Sequence, residues 1–241
     1  MFITYAHRGA SEYWPENTLS SFYAGIDMGA DGVETDIQRT KDGVLVIFHD
    51  PTMERTTGQP GKIQDYTYDE LTKFFVHNKK YGRKDKIITF EEFLRFIGCR
   101  DLTFAIELKD NGIAAEALEL LDKYDMKDKT IVTSFIYTEL EAAYATGKGY
   151  RLGYLYENTT DGVMEQMKKI KAFQACPIAE SITPETLKLL HDNGLECRAW
   201  GIFNTDIMKR ACDIGVDGGM TVNSGTVKIS DIRGLTVGNS V

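Results

Sequence analysis

The chain has 241 residues, 42% hydrophobic and 27% charged, which is ordinary globular usage. Its 36 acidic residues outnumber the 28 basic ones, for a net charge of −8. That balance argues against a broad nucleic-acid-binding surface and leaves room only for a local basic pocket. No stretch reaches the length of a membrane span, and His7, Arg8 and Glu12 interrupt any apolar run near the start. Cys99, Cys176, Cys197 and Cys212 are spaced too widely for a zinc pattern. The expectation is a cytoplasmic protein of a reducing compartment, with free thiols and no stable membrane insertion.

Short apolar runs alternate with helical patterns along the chain. The runs at 2–6, 32–38, 44–48, 102–108, 130–134, 151–155, 172–176, 196–202 and 218–222 read as strands. Helical patterns fall at 18–28, 91–97, 113–124, 137–145, 162–170, 184–193 and 205–214. Asn17 and Asn204 read as N-caps, and Gly194 and Gly215 as helix stops. Repeated strand–helix units predict a parallel sheet covered by helices.

Nine strands are one too many for an eight-stranded barrel. The link at 39–43, RTKDG, is far too short for a parallel crossover, and its Asp42-Gly43 is a hairpin signal. The segment 44–48 must then return antiparallel to 32–38. Eight parallel strands remain, as a TIM (β/α)8 barrel requires, with an open doubly wound sheet as the alternative. A turn centred on Asp42 sets Asp36 opposite Phe48 and brings His49 beside Thr35 and Asp36. Residues 51–89 fit no strand–helix unit and read as an insertion on a single domain spanning 1–241. The insertion carries a basic run, Lys79, Lys80, Arg83, Lys84 and Lys86, and a short helical pattern at 68–75.

Glu34 and Asp36 lie two apart on one strand and share a face. In 102–108 the apolar Phe104, Ile106 and Leu108 suit the helix-covered exterior, so Glu107, with Lys109 after it, points inward near the strand's C-terminal end. Three carboxylates converging there repel one another unless a cation joins them, which points to a hard divalent ion, Mg²⁺ or Ca²⁺, with Mn²⁺ as the alternative. The bland reading is ion pairing, Glu107 with Lys109 and Glu34 with Arg39. His7 and His49 end the first strand and the hairpin and suit an acid/base pair. Arg8 and Lys109 would hold an anionic group such as a phosphate. Trp200 either packs in the core or walls the pocket, and His77 and His191 carry no chemistry.

The order HRG (7–9), PENT (15–18), GADGVETD (29–36), TKDG (40–43), FHD (48–50), RTTG (55–58), IELK (106–109) and TSF (133–135) closely resembles glycerophosphodiester phosphodiesterases. Trp200 and GVDGGMT (215–221) also fit. The resemblance runs through nearly the whole chain, and the order and spacing make the set specific. It implies a metal-dependent hydrolase that converts small-molecule glycerophosphodiesters, such as glycerophosphocholine or glycerophosphoethanolamine, to sn-glycerol 3-phosphate and an alcohol. By matching motif, His7 and His49 are the acid/base pair, Glu34, Asp36 and Glu107 the metal ligands, and Arg8 and Lys109 the phosphate contacts. Glu16 of PENT falls at an active-site position, and the insertion is similar to the family's small capping insert. The chain departs from the family at Thr221-Val222-Asn223, where T-D and a nearby proline are usual. A lysophospholipase D-like activity is the alternative enzyme, and a non-catalytic phosphodiester-binding barrel ranks last.

Overall fold

A computed structural model describes residues 2–221. Eight parallel strands close into a barrel: β1 (Ile3–His7), β2 (Gly32–Arg39), β6 (Thr103–Leu108), β7 (Thr130–Ser134), β8 (Arg151–Tyr156), β9 (Gln174–Pro177), β10 (Glu196–Ile202) and β11 (Gly218–Thr221). β1 pairs with both β2 and β11, which closes the ring. Helices α1 (Leu19–Asp27), α4 (Phe90–Phe96), α5 (Ala114–Lys123), α6 (Tyr137–Ala145), α7 (Asp161–Lys169), α8 (Pro184–Asp192) and α9 (Thr205–Ile214) follow the strands. The expected barrel is therefore the observed one. None of the described helices is long and apolar enough to cross a membrane.

Alternation along the strands sorts the side chains. Val33, Ile37, Phe104, Ile106 and Leu108 turn outward and join Phe22, Phe90 and Phe93 in the layer between strands and helices. A smaller cluster of Tyr5, Ala105, Leu155, Cys176 and Met220, with Trp200 against it, fills the barrel itself. Helix α1 approaches β1 very closely, and a Cβ at Gly25 would stand 2.8 Å from that of Ala6.

β3 (Leu45–Ile47) returns antiparallel to β2 with Ile37 opposite Ile47 and Arg39 opposite Leu45. The Phe48 N–H donates to the Asp36 carbonyl at 3.0 Å, the register expected from the turn. Gly43 supplies the left-handed residue of that turn (φ 88°), which fits a three-residue hairpin loop.

Three expectations shift. The helix read at 68–75 is α3 (Tyr68–Leu71), one turn closed by a capping box between Thr67 and Glu70. The chain then enters β4 (Phe75–Asn78) and β5 (Arg83–Lys86), an antiparallel pair that no apolar alternation announced. The strand read at 172–176 begins two residues later, because Lys171 adopts φ 48° and the Ala172 N–H still bonds the end of α7 at Met167. Thr18, not Asn17, caps α1, its hydroxyl accepting from the Ser21 N–H, while Asn204 caps α9 as expected. Residues 222 and 223 lie outside the described residues. With α2 (Glu54–Thr57), the insertion packs Met53, Ile63, Leu71, Val76 and Ile87 into a small core shared with Val46 and Phe48 of the β2–β3 hairpin.

Phe93 packs edge-on against both Phe22 and Phe104, at 4.9 and 6.0 Å between ring centroids. Phe93→Ala should lower the unfolding free energy by about 3–5 kcal/mol in a denaturant titration.

Candidate active site

The parallel register builds the site level by level. His7 lies beside Glu34, Asp36 beside Glu107, and Glu107 beside Thr133. All stand toward the C-terminal ends of their strands, where the connecting loops open. Glu34, Asp36 and Glu107 are almost wholly buried, and one carboxylate oxygen of each lies within 4.8 Å of the others.

The turn after β1 brings in the positive charge. Arg8 and Gly9 take φ of 59° and 81°, left-handed geometry that is costly for arginine. Gly9 is required there, since a Cβ would strike the Ser21 backbone at 2.4 Å. The strained turn holds through backbone bonds, Arg8 N–H to the Glu34 carbonyl at 3.0 Å and Ala10 N–H to that of Ser21 at 2.8 Å. The Arg8 guanidinium then reaches Glu16 at 2.9 Å and Asp36 at 3.5 Å. Lys109 arrives from β6, with Nζ 2.9 Å from Glu107 and 3.5 Å from Asp36.

These surroundings split the carboxylates. Burial and the neighbouring charges of Asp36 and Glu107 hold Glu34 well above the usual carboxylate range. Burial and Asp36 likewise raise Glu107. Burial acts the same way on Asp36, yet Lys109, His49 and Arg8 outweigh it and keep that carboxyl below the usual range. His7 approaches Glu34 at 3.8 Å, and burial together with Arg8 pushes its imidazole well below its ordinary value.

The donor set fits a divalent cation. It offers three hard oxygen ligands, and Asp36 Oδ1 is buried with no hydrogen-bond partner. A second group, Glu16, His49 and Asp50, also converges within 4.8 Å. There a guanidinium already supplies the charge: Arg55 donates to Asp50 at 2.5 and 2.9 Å and to both oxygens of Glu16 at 2.7 Å. Asp50 in turn meets His49 Nδ1 at 2.8 Å. A cleft of about 180 Å³ opens beside His49 and Lys109, bordered by Gln38, Pro51, Lys62 and Gln64.

The structure thus gathers His7, His49, Arg8, Glu16, Lys109, Glu34, Asp36 and Glu107 at one mouth. The Glu107–Lys109 pair exists, whereas Arg39 donates to the carbonyls of Asn111 and Gly112 instead of pairing with Glu34. Trp200 packs, as one of its two readings had it. It lies against the inner barrel cluster, donates to the Tyr156 carbonyl at 3.1 Å, and meets Phe135 edge-on at 5.2 Å.

Four residues of the site were not singled out by sequence for the parts they play. Asn17, at φ 57°, donates to Asp36 and accepts from the Thr35 hydroxyl, both at 2.9 Å. Asp50 and Arg55 lie in FHD and RTTG, so their signal was present but carried no role. Arg198 is fully buried beneath the site, bonded to Gln174 at 2.7 Å, with Nη1 unpartnered. Only its inward position in the 196–202 alternation could have marked it.

The family model described as "Glycerophosphoryl diester phosphodiesterase family" matches residues 7–226. A glycerophosphodiester phosphodiesterase of Caldanaerobacter subterraneus subsp. tengcongensis is 31% identical over 227 residues, covering 91% of this chain and 93% of the relative. One from Bacillus altitudinis is 30% identical over 89% of this chain and 91% of its own. Among solved structures, an Oleispira antarctica phosphodiesterase in complex with the product sn-glycerol-3-phosphate superposes with a TM-score of 0.86 at 23% identity, covering 98% of this chain and 96% of its own. With the barrel, the carboxylate cluster and the family match in agreement, this chain belongs to the glycerophosphoryl diester phosphodiesterase family.

Proposed function

We propose that the protein hydrolyses small glycerophosphodiesters, such as glycerophosphocholine or glycerophosphoethanolamine, to sn-glycerol 3-phosphate and an alcohol. The observation that carries this reading is the convergence of two histidines, three buried carboxylates and two cations at the barrel mouth. Glu34, Asp36 and Glu107 would hold Mg²⁺ or Ca²⁺, which when bound supplies Lewis-acid stabilisation of charge growing on a phosphate oxygen.

Arg8 and Lys109 bind the phosphate oxygens and fix the diester over the carboxylates. His7, held neutral by burial and Arg8, accepts the proton of the attacking hydroxyl. His49 gives a proton to the leaving alkoxide through Nε2, because Asp50 occupies its Nδ1 side. Glu16 keeps Arg8 in place. The insertion at 51–89 caps one side of the mouth, and a cytoplasmic setting suits the unpaired cysteines.

A second reading draws on the other side of the mouth. Phe135 and Phe203 are exposed, at 42% and 60%, and Phe135 meets Trp200 there. Such a wall suits the acyl chain of a lysophospholipid. Parallel rates on a lysolipid and its deacylated counterpart separate the two readings: a faster lysolipid reaction selects the second.

Purified protein should release glycerol 3-phosphate from glycerophosphocholine. Chelation should abolish the reaction, and His49→Ala should lower kcat by about 10²–10⁴-fold. Full activity surviving both would sink the mechanism. Asp50→Asn should cost on the order of 100-fold in kcat with little change in KM, because the His49 ring loses its orienting acceptor. An unchanged kcat, or a loss confined to KM, would be incompatible with that role.

The crowded carboxylates also set a pH dependence. Glu34 and Glu107 have raised folded-state values, so their stabilising contribution is full below the ordinary glutamate pKa of about 4.3 and is lost as pH rises through the raised value. Glu34→Gln should therefore raise the Tm of the metal-free protein by several degrees at neutral pH, with the gap closing toward pH 4. The same variant should gain less Tm from added Mg²⁺ or Ca²⁺ than the parent protein.

A further inference from the structure

The basic run of the insertion has no part in the catalytic mouth, and the structure gives it a distinct surface. β4 and β5 pair Phe75 with Lys86, Val76 with Asp85, His77 with Lys84 and Asn78 with Arg83. Alternation divides the pair into two faces. One face turns inward: Val76 is buried, Asn78 donates to the Glu12 carbonyl at 2.9 Å, Arg83 donates to that of Tyr13 at 2.7 Å, and Asp85 accepts from the Ser20 N–H at 3.2 Å. These bonds tie the hairpin to the loop after β1, which is the rim of the mouth.

The other face carries Phe75, His77, Lys84 and Lys86, continued at the turn by Lys79, Lys80 and Tyr81. All but the half-buried Phe75 are exposed. The ammonium groups of Lys84 and Lys86 lie 4.6 and 4.2 Å from the Phe75 ring centroid. Neither strand contributes a carboxylate to this face. Lys80 pairs with Glu12 of the rim, Lys86 donates to the Thr72 carbonyl, and Lys79 and Lys84 form no ion pair among the described residues. A chain with a net charge of −8 thus concentrates positive charge and aromatic rings on one projecting surface.

We propose that this face docks the protein peripherally on anionic lipid bilayers. Lysines beside the half-buried Phe75 and the exposed Tyr81 match the charged and interfacial levels of such a surface. The only guanidinium of the hairpin, Arg83, is turned inward, so the face attracts diffuse negative charge instead of gripping single phosphates in a fork. With a net charge of −8 the chain offers a long polyanion little support beyond this face, whereas a bilayer meets it as a plane. Docking sets the rim of the mouth close to the membrane, where deacylation of phospholipids releases water-soluble glycerophosphodiesters. That last consequence rests on the proposed activity; the docking does not.

The test is co-sedimentation of the full chain with phosphatidylcholine vesicles, with and without phosphatidylglycerol, at low and physiological salt. Binding is expected only with phosphatidylglycerol and should weaken as salt rises. Lys79→Gln with Lys84→Gln should reduce binding roughly 30-fold while leaving hydrolysis of dissolved glycerophosphocholine unchanged. Lys168→Gln with Lys169→Gln, which removes the same charge from α7, should bind like the parent. Absence of binding to anionic vesicles, an equal loss in the α7 variant, or binding to heparin with none to vesicles would each overturn the proposal. Inactivity toward glycerophosphocholine with lipid binding intact would count against the activity alone.

Discussion

Three carboxylates are held side by side on neighbouring strands in the interior of a barrel, and their mutual repulsion governs what surrounds them. Glu34, Asp36 and Glu107 could not all stay charged in that space without help, since burial favours the neutral form and each neighbour adds to the cost. The protein charges one of them fully. Asp36 receives Arg8, Lys109 and the Asn17 amide, and is the carboxylate whose value falls. Glu107 shares Lys109 with it, Glu34 forms no ion pair with a lysine or arginine among the described residues, and Asp36 Oδ1 makes no hydrogen bond. Such a cluster of oxygen ligands could hold a cation that brings more than one charge.

The local distortions follow from that demand. Arg8 reaches Asp36 only because the chain leaves β1 in a left-handed turn, and Gly9 is the residue that allows α1 to close on that turn. Glu16 holds the other end of the Arg8 guanidinium, Arg55 spans Glu16 and Asp50, and Asp50 meets His49. Charges alternate from Arg8 through Glu16 and Arg55 to Asp50, which ends the chain of contacts on His49. Arg55 grips both carboxylates bidentately, which strengthens these links relative to single-contact surface ion pairs. Its effect is to make the positions of His7's neighbour and of His49 interdependent, although one stands on the barrel and the other on the hairpin.

How much of this was legible in the sequence depends on the distance over which the information acts. Periodicity and turn chemistry are local, so the eight strands, the hairpin at Asp42-Gly43 and even its register could be read directly. The inward carboxylates could be read too, because alternation on a strand fixes their face. Asn17 was misread because asparagine suits both a helix cap and a left-handed residue, and only the fold shows that Thr18 takes the cap. Asp50 and Arg55 were visible as letters of motifs, but their bonds join segments that the sequence does not place together. The β4–β5 pair was missed for a different reason. Its alternation is of charge and burial within a polar run, Arg83-Lys84-Asp85-Lys86, and an apolar pattern search passes over it.

That hairpin shows how the same stretch of chain serves two demands. Asn78, Arg83 and Asp85 are spent on bonds to the rim and to the start of α1, which is what fixes an otherwise small two-stranded sheet against the barrel. Their alternating partners are then forced outward, because a strand cannot turn both sets to one side. Lysines at those outward positions keep an open sheet edge from pairing with other chains. The positive charge on the outer face is therefore compatible with solubility on its own account, and what distinguishes a docking surface from an edge guard is the company of Phe75 and Tyr81. An edge guard gains nothing from a ring left at the surface, as Tyr81 is, whereas an interface between water and lipid does.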